Sequence, residues 1–192
     1  MTMPTNDTIV WQRLDLPGHE LCSVSSGEKG HLLTGSSIFV AEGNKCLLSY
    51  RVVCDAAWKT QEVHVVGNIN DEPIDVILMV EPGNVWTLNG VEQPQVEGCI
   101  DVDLAFSPAT NLLPIRRCNM AIGDSEQAVA AWLTFPEMTL EKLPQRYTRL
   151  SELIFHYVLS GGDFETELTV KSSGFVSNYP LLWREEHGEW PS

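Results

Sequence analysis

The feature that most restricts this chain is the period of its apolar residues, which is two over most of its length. In Leu47-Leu48-Ser49-Tyr50-Arg51-Val52-Val53-Cys54 and in Glu62-Val63-His64-Val65-Val66, β-branched and aromatic residues crowd together with the alternation of half-buried strands. A strand needs that spacing to bury one face, whereas a helix needs a period of 3.6. Residues 74–80, 153–159, 164–170 and 175–179 have the same texture. Between the runs stand Glu81-Pro82-Gly83-Asn84, Asn89-Gly90, Ser160-Gly161-Gly162 and the turn 171–174. Asn-Gly tolerates the positive φ of a tight hairpin, so Val85–Leu88 should turn there and return from Val91, with Pro94 weakening the pairing. Residues 128–135 are Ala-rich and fit strand or helix. Turn signals about every 8 to 12 residues predict an all-β sandwich, barrel or roll.

One segment departs from this pattern. In Ser107-Pro108-Ala109-Thr110-Asn111-Leu112-Leu113-Pro114-Ile115-Arg116-Arg117-Cys118, Ser107 and Thr110 are capping types and a proline is tolerated in a first helical turn. Leu112, Leu113, Ile115 and Met120 supply an apolar face, and Gly123 is a plausible stop. The spacing predicts a single helix between about 110 and 121. A lone helix among strands is expected to fill the concave side of a curved sheet, because that side must be covered.

Composition narrows the function. A chain of 192 residues hides roughly 70% of its unfolded surface, enough for one domain spanning 1–192 with no metal or disulfide staple. Twelve basic against 26 acidic residues give a charge of −14, which argues against nucleic acid and repels anionic membranes. No run approaches 18 apolar residues, so no membrane insertion is expected. The first fifteen residues lack the pattern of an export signal, and five cysteines without a C-x-x-C pair read as free thiols. Both point to the cytoplasm.

The densest polar cluster is Gly98-Cys99-Ile100-Asp101-Val102-Asp103-Leu104, with Arg116 and Arg117 downstream. On a strand Asp101 and Asp103 share a face, where two carboxylates repel unless a cation or arginine stands between them. They suit a polar ligand anchor, an acid–base dyad, or a salt bridge tying helix to strand. A metal is not expected, since no histidine or third carboxylate lies at ligand spacing. No nucleophile elbow or phosphate loop is present, and His19, His31, His64, His156 and His187 are scattered singly. Six tryptophans run along the chain; core packing explains most such residues, yet tryptophan also lines pockets for amphipathic ligands.

The block 98–104 followed by Phe106-Ser-Pro-Ala-Thr-Asn-Leu-Leu-Pro-Ile-Arg-Arg117 resembles the bacterial glycolipid-binding family long carried as a domain of unknown function. The likeness extends through Tyr50-x-Val-x-Cys54-Asp55-x-x-Trp58, Trp132, Phe135-Pro136, Gln145-Arg-Tyr147-Thr148 and Gly174-x-Val176-x-x-Tyr179-Pro180-x-x-Trp183, covering about 10–185. Cys118 departs from it, standing where an aliphatic residue is expected. The resemblance implies a spiral β-roll, mainly β, with one long curved antiparallel sheet wrapped around a single helix, and a homodimer. It also implies binding of a glycolipid or other amphipathic small molecule; with no catalytic motif in the chain, a non-catalytic protein without a cofactor is expected. The apolar tail would lie in the concavity. Asp101, Asp103, Asn111, Arg116 and Arg117 would meet the polar head, with Trp58 and Tyr147 as further contacts. The alternatives are a hydrolase-like enzyme using Asp101 and Asp103 on a glycan or lipid ester, and a purely structural or dimerising module.

Overall fold

The structure, a computed structural model, describes residues 6–159, 161–162 and 164–187; Ser160 and Trp190 lie outside them. Eight strands form an antiparallel meander: β1 (Asp7–Arg13), β2 (Gly18–Gly27), β3 (Gly30–Ala41), β4 (Asn44–Cys54), β5 (Thr60–Ile69), β6 (Glu72–Glu81), β7 (Val85–Leu88) and the short β8 (Val91–Glu92). Seven more follow: β9 (Asp101–Leu104), β10 (Ser125–Leu133), β11 (Leu140–Arg149), β12 (Ile154–Leu159), β13 (Glu165–Val170), β14 (Val176–Tyr179) and β15 (Trp183–Glu185). Strand β15 returns to pair with β1, Trp11 opposite Glu185. The two meanders thus join into one long, curved, unclosed sheet that runs from β8 through β1 and β15 to β9. The mainly β architecture and the wrapped helix agree with the expectation from the sequence.

Alternation decides which side is inside. Along β4, Cys46, Leu48, Tyr50, Val52 and Cys54 are buried while Leu47 and Arg51 face out. Burying each large apolar side chain contributes about 1.5–3 kcal/mol, so a one-residue slip would forfeit the row. Trp11, Trp86, Phe106 and Phe175 are fully enclosed on the concave side.

Among the described residues only β9 and β10 pair in parallel, Ala130 opposite Asp101. A parallel neighbour cannot be reached by a tight turn and needs a crossover. That crossover carries the helix: a 3-10 turn over Ala109–Asn111 continues into α1 (Leu112–Cys118). Leu112, Leu113 and Ile115 are buried against the sheet. Neither capping type occupies an N-cap, which falls on Pro108 for the 3-10 turn and Asn111 for α1; Ser107 Oγ accepts from the Ala109 N–H at 3.1 Å, and Thr110 Oγ1 accepts from Leu104 N–H, stitching helix to strand. The helix ends earlier than Gly123. Asn119 takes the left-handed conformation (φ 43°, ψ 46°), which the short polar side chain of asparagine tolerates. The Ala-rich run is strand β10, since both its edges are hydrogen-bonded.

The outer edges of the sheet do not form a ladder with each other. Individual side-chain and backbone hydrogen bonds close the seam instead. Trp86 Nε1 donates to the Cys99 carbonyl at 2.9 Å, and Thr60 Oγ1 accepts from Val102 N–H at 3.1 Å. Thr60 N–H also reaches the Ile100 carbonyl at 3.2 Å, so the start of β5 is bonded to β9 across the roll.

Candidate functional site: a cleft at the C-terminal end of the helix

The concavity is filled at its centre by α1 and the aromatic core. Open space remains where the helix ends. There the β2–β3 hairpin, the loop 55–59, the last turn of α1 and the β13–β14 turn converge on a cleft of about 980 Å³. Its volume falls near the top of the range of small-molecule sites, roughly 300–1,000 Å³.

One wall is a set of planar groups. The His31 imidazole lies flat on the Trp58 indole, with centroids 3.5 Å apart and planes 6° from parallel. The Arg116 guanidinium sits 5.3 Å from the same indole, within cation–π range. His31 Nε2 lies 3.4 Å from the Ala56 carbonyl and Nδ1 2.8 Å from Ser26 Oγ. A carbonyl only accepts, so the neutral ring presents its N–H at Nε2 and accepts a hydrogen bond from the Ser26 hydroxyl at Nδ1. Burial lowers the His31 pKa, and the charge of Arg116 adds to that, against the Ala56 hydrogen bond and the Asp55 charge. The lining also includes apolar side chains, among them Ile115, Met120, Phe155 and Val170.

The cations lining the cleft differ in what occupies them. Arg149 is committed to the backbone, donating to the carbonyls of Met120 (2.7 Å), Glu152 (2.8 Å) and Ser151 (3.2 Å). Lys171 is paired with Glu185 at 2.6 Å and Asp7 at 3.6 Å. Arg116 donates to the Ser172 carbonyl at 3.4 Å and passes over Gly174. Gly174 has φ 100°, and a Cβ there would stand 2.9 Å from Arg116 Cδ, so the turn accepts only glycine without strain.

Of the residues singled out from the sequence, Trp58 and Arg116 line the cleft. The others do not line it and fall into two groups. Asp101, almost fully buried, holds Arg117 through both carboxylate oxygens, at 2.9 and 2.6 Å. Burial raises its pKa and the guanidinium opposes that rise. Asp103 does not share the arginines; its Oδ2 accepts from Gln145 Nε2 at 2.9 Å, and burial pushes its carboxyl up to about 6. Tyr147 donates to Asn111 Oδ1 at 2.8 Å and to Gln145 Oε1 at 3.3 Å, so Asn111 and Tyr147 belong to this second network. Among the described residues no cluster of metal-ligating side chains occurs, and no helix is long and apolar enough to cross a membrane. Trp11 and Trp86 are core residues, and Trp58 is the one tryptophan at the cleft among the described residues.

Reasoning from sequence missed His31, Ser26, Phe155 and Gly174 as cleft residues. A signal existed for one contact: Gly174 opens a motif block at a turn, where an obligatory glycine marks a close approach. A lone histidine in a hairpin carries no such mark.

Comparisons with known proteins agree with this architecture. No curated protein matches the chain. Among solved structures, the crystal structure of a DUF1089-family protein from Pseudomonas aeruginosa superposes with a TM-score of 0.77 at 26% identity, covering 86% of this chain and 91% of that one. The sequence profile of the family described as "Putative glycolipid-binding" matches residues 8–185. Nearly the whole described chain is spanned by that match, and the chain belongs to this family.

Proposed function

We propose that the protein is a non-catalytic binder of a glycolipid or similar amphiphile, and that the cleft at the end of α1 is where it binds. The observation that carries this reading is a cleft lined both by planar polar groups (His31, Trp58, Arg116) and by apolar side chains (Ile115, Met120, Phe155, Val170). A sugar ring suits the first, since its C–H face packs on flat side chains while its hydroxyls meet nitrogen donors. An alkyl tail suits the second. Ten methylenes at about 0.8 kcal/mol each give roughly 8 kcal/mol gross, more than the association cost of about 4 kcal/mol at its lower bound.

Binding is favoured over catalysis because both carboxylates are committed away from the cleft, Asp101 to Arg117 and Asp103 to Gln145. The five cysteines are free and four are buried, which fits the cytoplasm, and a homodimer is the assembly that the family resemblance implies. The decisive experiment is native mass spectrometry of protein from its own host, followed by calorimetric titration of delipidated protein with dodecyl β-glucoside. A retained amphiphile and saturable binding that Trp58→Ala weakens are expected. A bare mass together with no saturable heat would overturn the reading.

A further inference from the structure

The indole at the cleft is held in a conformation that its own chemistry disfavours. Trp58 has φ 64°, the left-handed region, where a bulky side chain is a genuine outlier and must be held by its surroundings. The five residues 55–59 show what holds it. Asp55 Oδ1 accepts from Ala57 N–H at 2.8 Å and from Lys59 N–H at 2.9 Å. The backbone of the same residue closes the loop a second time: Asp55 N–H donates to the Lys59 carbonyl at 2.9 Å, and its carbonyl accepts from Trp58 N–H at 3.0 Å. The loop then runs into Thr60, which is fixed to β9. Its two ends are anchored, and its interior is shaped by one carboxylate oxygen.

We propose that Asp55 is the positioning residue of the cleft: through that one oxygen it keeps Trp58 left-handed, so that the indole lies flat under His31 and within reach of Arg116. This rests on the cleft being the binding site, though the geometric part stands alone. The partners of Oδ1 are both backbone N–H groups, so the role needs an acceptor at that point and not a negative charge. Asparagine presents an oxygen at the same place. Alanine presents none, and glutamate keeps the charge but displaces it by a methylene.

The test compares Asp55→Asn, Asp55→Ala and Asp55→Glu in the full-length protein. A ring lying on an indole at stacking distance has its imidazole proton resonances shifted strongly upfield, which NMR of labelled protein reads directly. Asp55→Asn should keep the His31 shift and bind dodecyl β-glucoside within about twofold of wild type. Asp55→Ala should lose the shift and weaken binding about tenfold, comparable to one good contact. Asp55→Glu should behave like the alanine variant and provides the measurement if Asp55→Ala does not fold. Folded Asp55→Ala or Asp55→Glu protein with the wild-type His31 shift overturns the proposal, as does loss of the shift in Asp55→Asn. Wild-type protein that binds no glucoside while the shifts follow this pattern refutes the binding site and leaves the role of Asp55 intact.

Discussion

Glu20 should make this protein less stable as the pH rises, and the amount follows from its surroundings. It lies on the concave face of β2 at 1% exposure, where Oε1 accepts from Tyr50 Oη at 2.6 Å and from Ser107 Oγ at 2.5 Å. Among the described residues Oε2 has no hydrogen-bond partner. Burial dominates, lifting the carboxyl from 4.5 to about 7 against the pull of the Ser107 and Tyr50 hydroxyls. The unfolded chain therefore gives up this proton near pH 4.5 and the native state near pH 7. Between those values the native state holds a proton that the unfolded state has lost, so raising the pH favours unfolding. The contribution is whole below the lower value and gone above the upper one. At about 1.4 kcal/mol per pH unit, the window corresponds to about 3 kcal/mol.

Glu20→Gln separates this from everything else that titrates. The amide carbonyl keeps both hydroxyl bonds and never ionises. Its NH2 takes the place of Oε2 and costs about 1–3 kcal/mol at every pH. The absolute stability of the variant is therefore uninformative, and the slope decides. Urea unfolding at about pH 5 and about pH 8 should show the wild type losing roughly 2.5 kcal/mol more than Glu20→Gln, or roughly 1.2 M in midpoint at an m-value of about 2 kcal/mol/M. Parallel behaviour of the two proteins over that interval would refute the argument. Asp103, raised by the same burial to about 6, contributes equally to both proteins and cancels.

Three further outcomes are expected. Arg117→Met leaves the Asp101 carboxylate buried without its cation and should cost about 3 kcal/mol in urea unfolding, most of it recovered when Asp101→Leu is added. Gly174→Ala forces a side chain into φ 100° and against Arg116, so thermal unfolding should shift down by several degrees, the equivalent of about 1 kcal/mol or more. Leu113→Ala removes a fully enclosed helix side chain and should cost about 2–5 kcal/mol by chemical denaturation, without moving the His31 resonances.

How far the fold was legible follows from what each residue depends on. The inward row of β4 was legible because a strand buried on one face can show only one alternation, and Leu48, Tyr50 and Val52 obey it. The helix was legible because Leu112, Leu113 and Ile115 break that alternation. Its end was not, because Asn119 and Gly123 both tolerate a left-handed stop and packing chose between them. The cleft was half legible. Trp58 and Arg116 stand within motif blocks, whereas His31 and Phe155 meet only because β15 pairs with β1 and brings the two meanders round one helix. That pairing joins residues 170 or more positions apart, and local periodicity contains no trace of it.

The two adjacent arginines show how the structural and the ligand-facing readings of one motif coexist. Successive residues on an α-helix diverge by about 100°, so Arg116 and Arg117 cannot serve the same neighbour. Asp101 on β9 takes Arg117 through both oxygens and thereby fixes the rotation of the last helical turn. With that rotation set, Arg116 is directed across Gly174 toward Trp58. The salt bridge is thus structural in its contacts and still bears on the cleft. Arg117→Met should displace the neighbouring guanidinium from the indole, detectable as a change in the His31 ring shifts, even where its cost in stability is restored by Asp101→Leu. Unchanged shifts in the double variant would show that Gly174 and Trp58 hold Arg116 unaided.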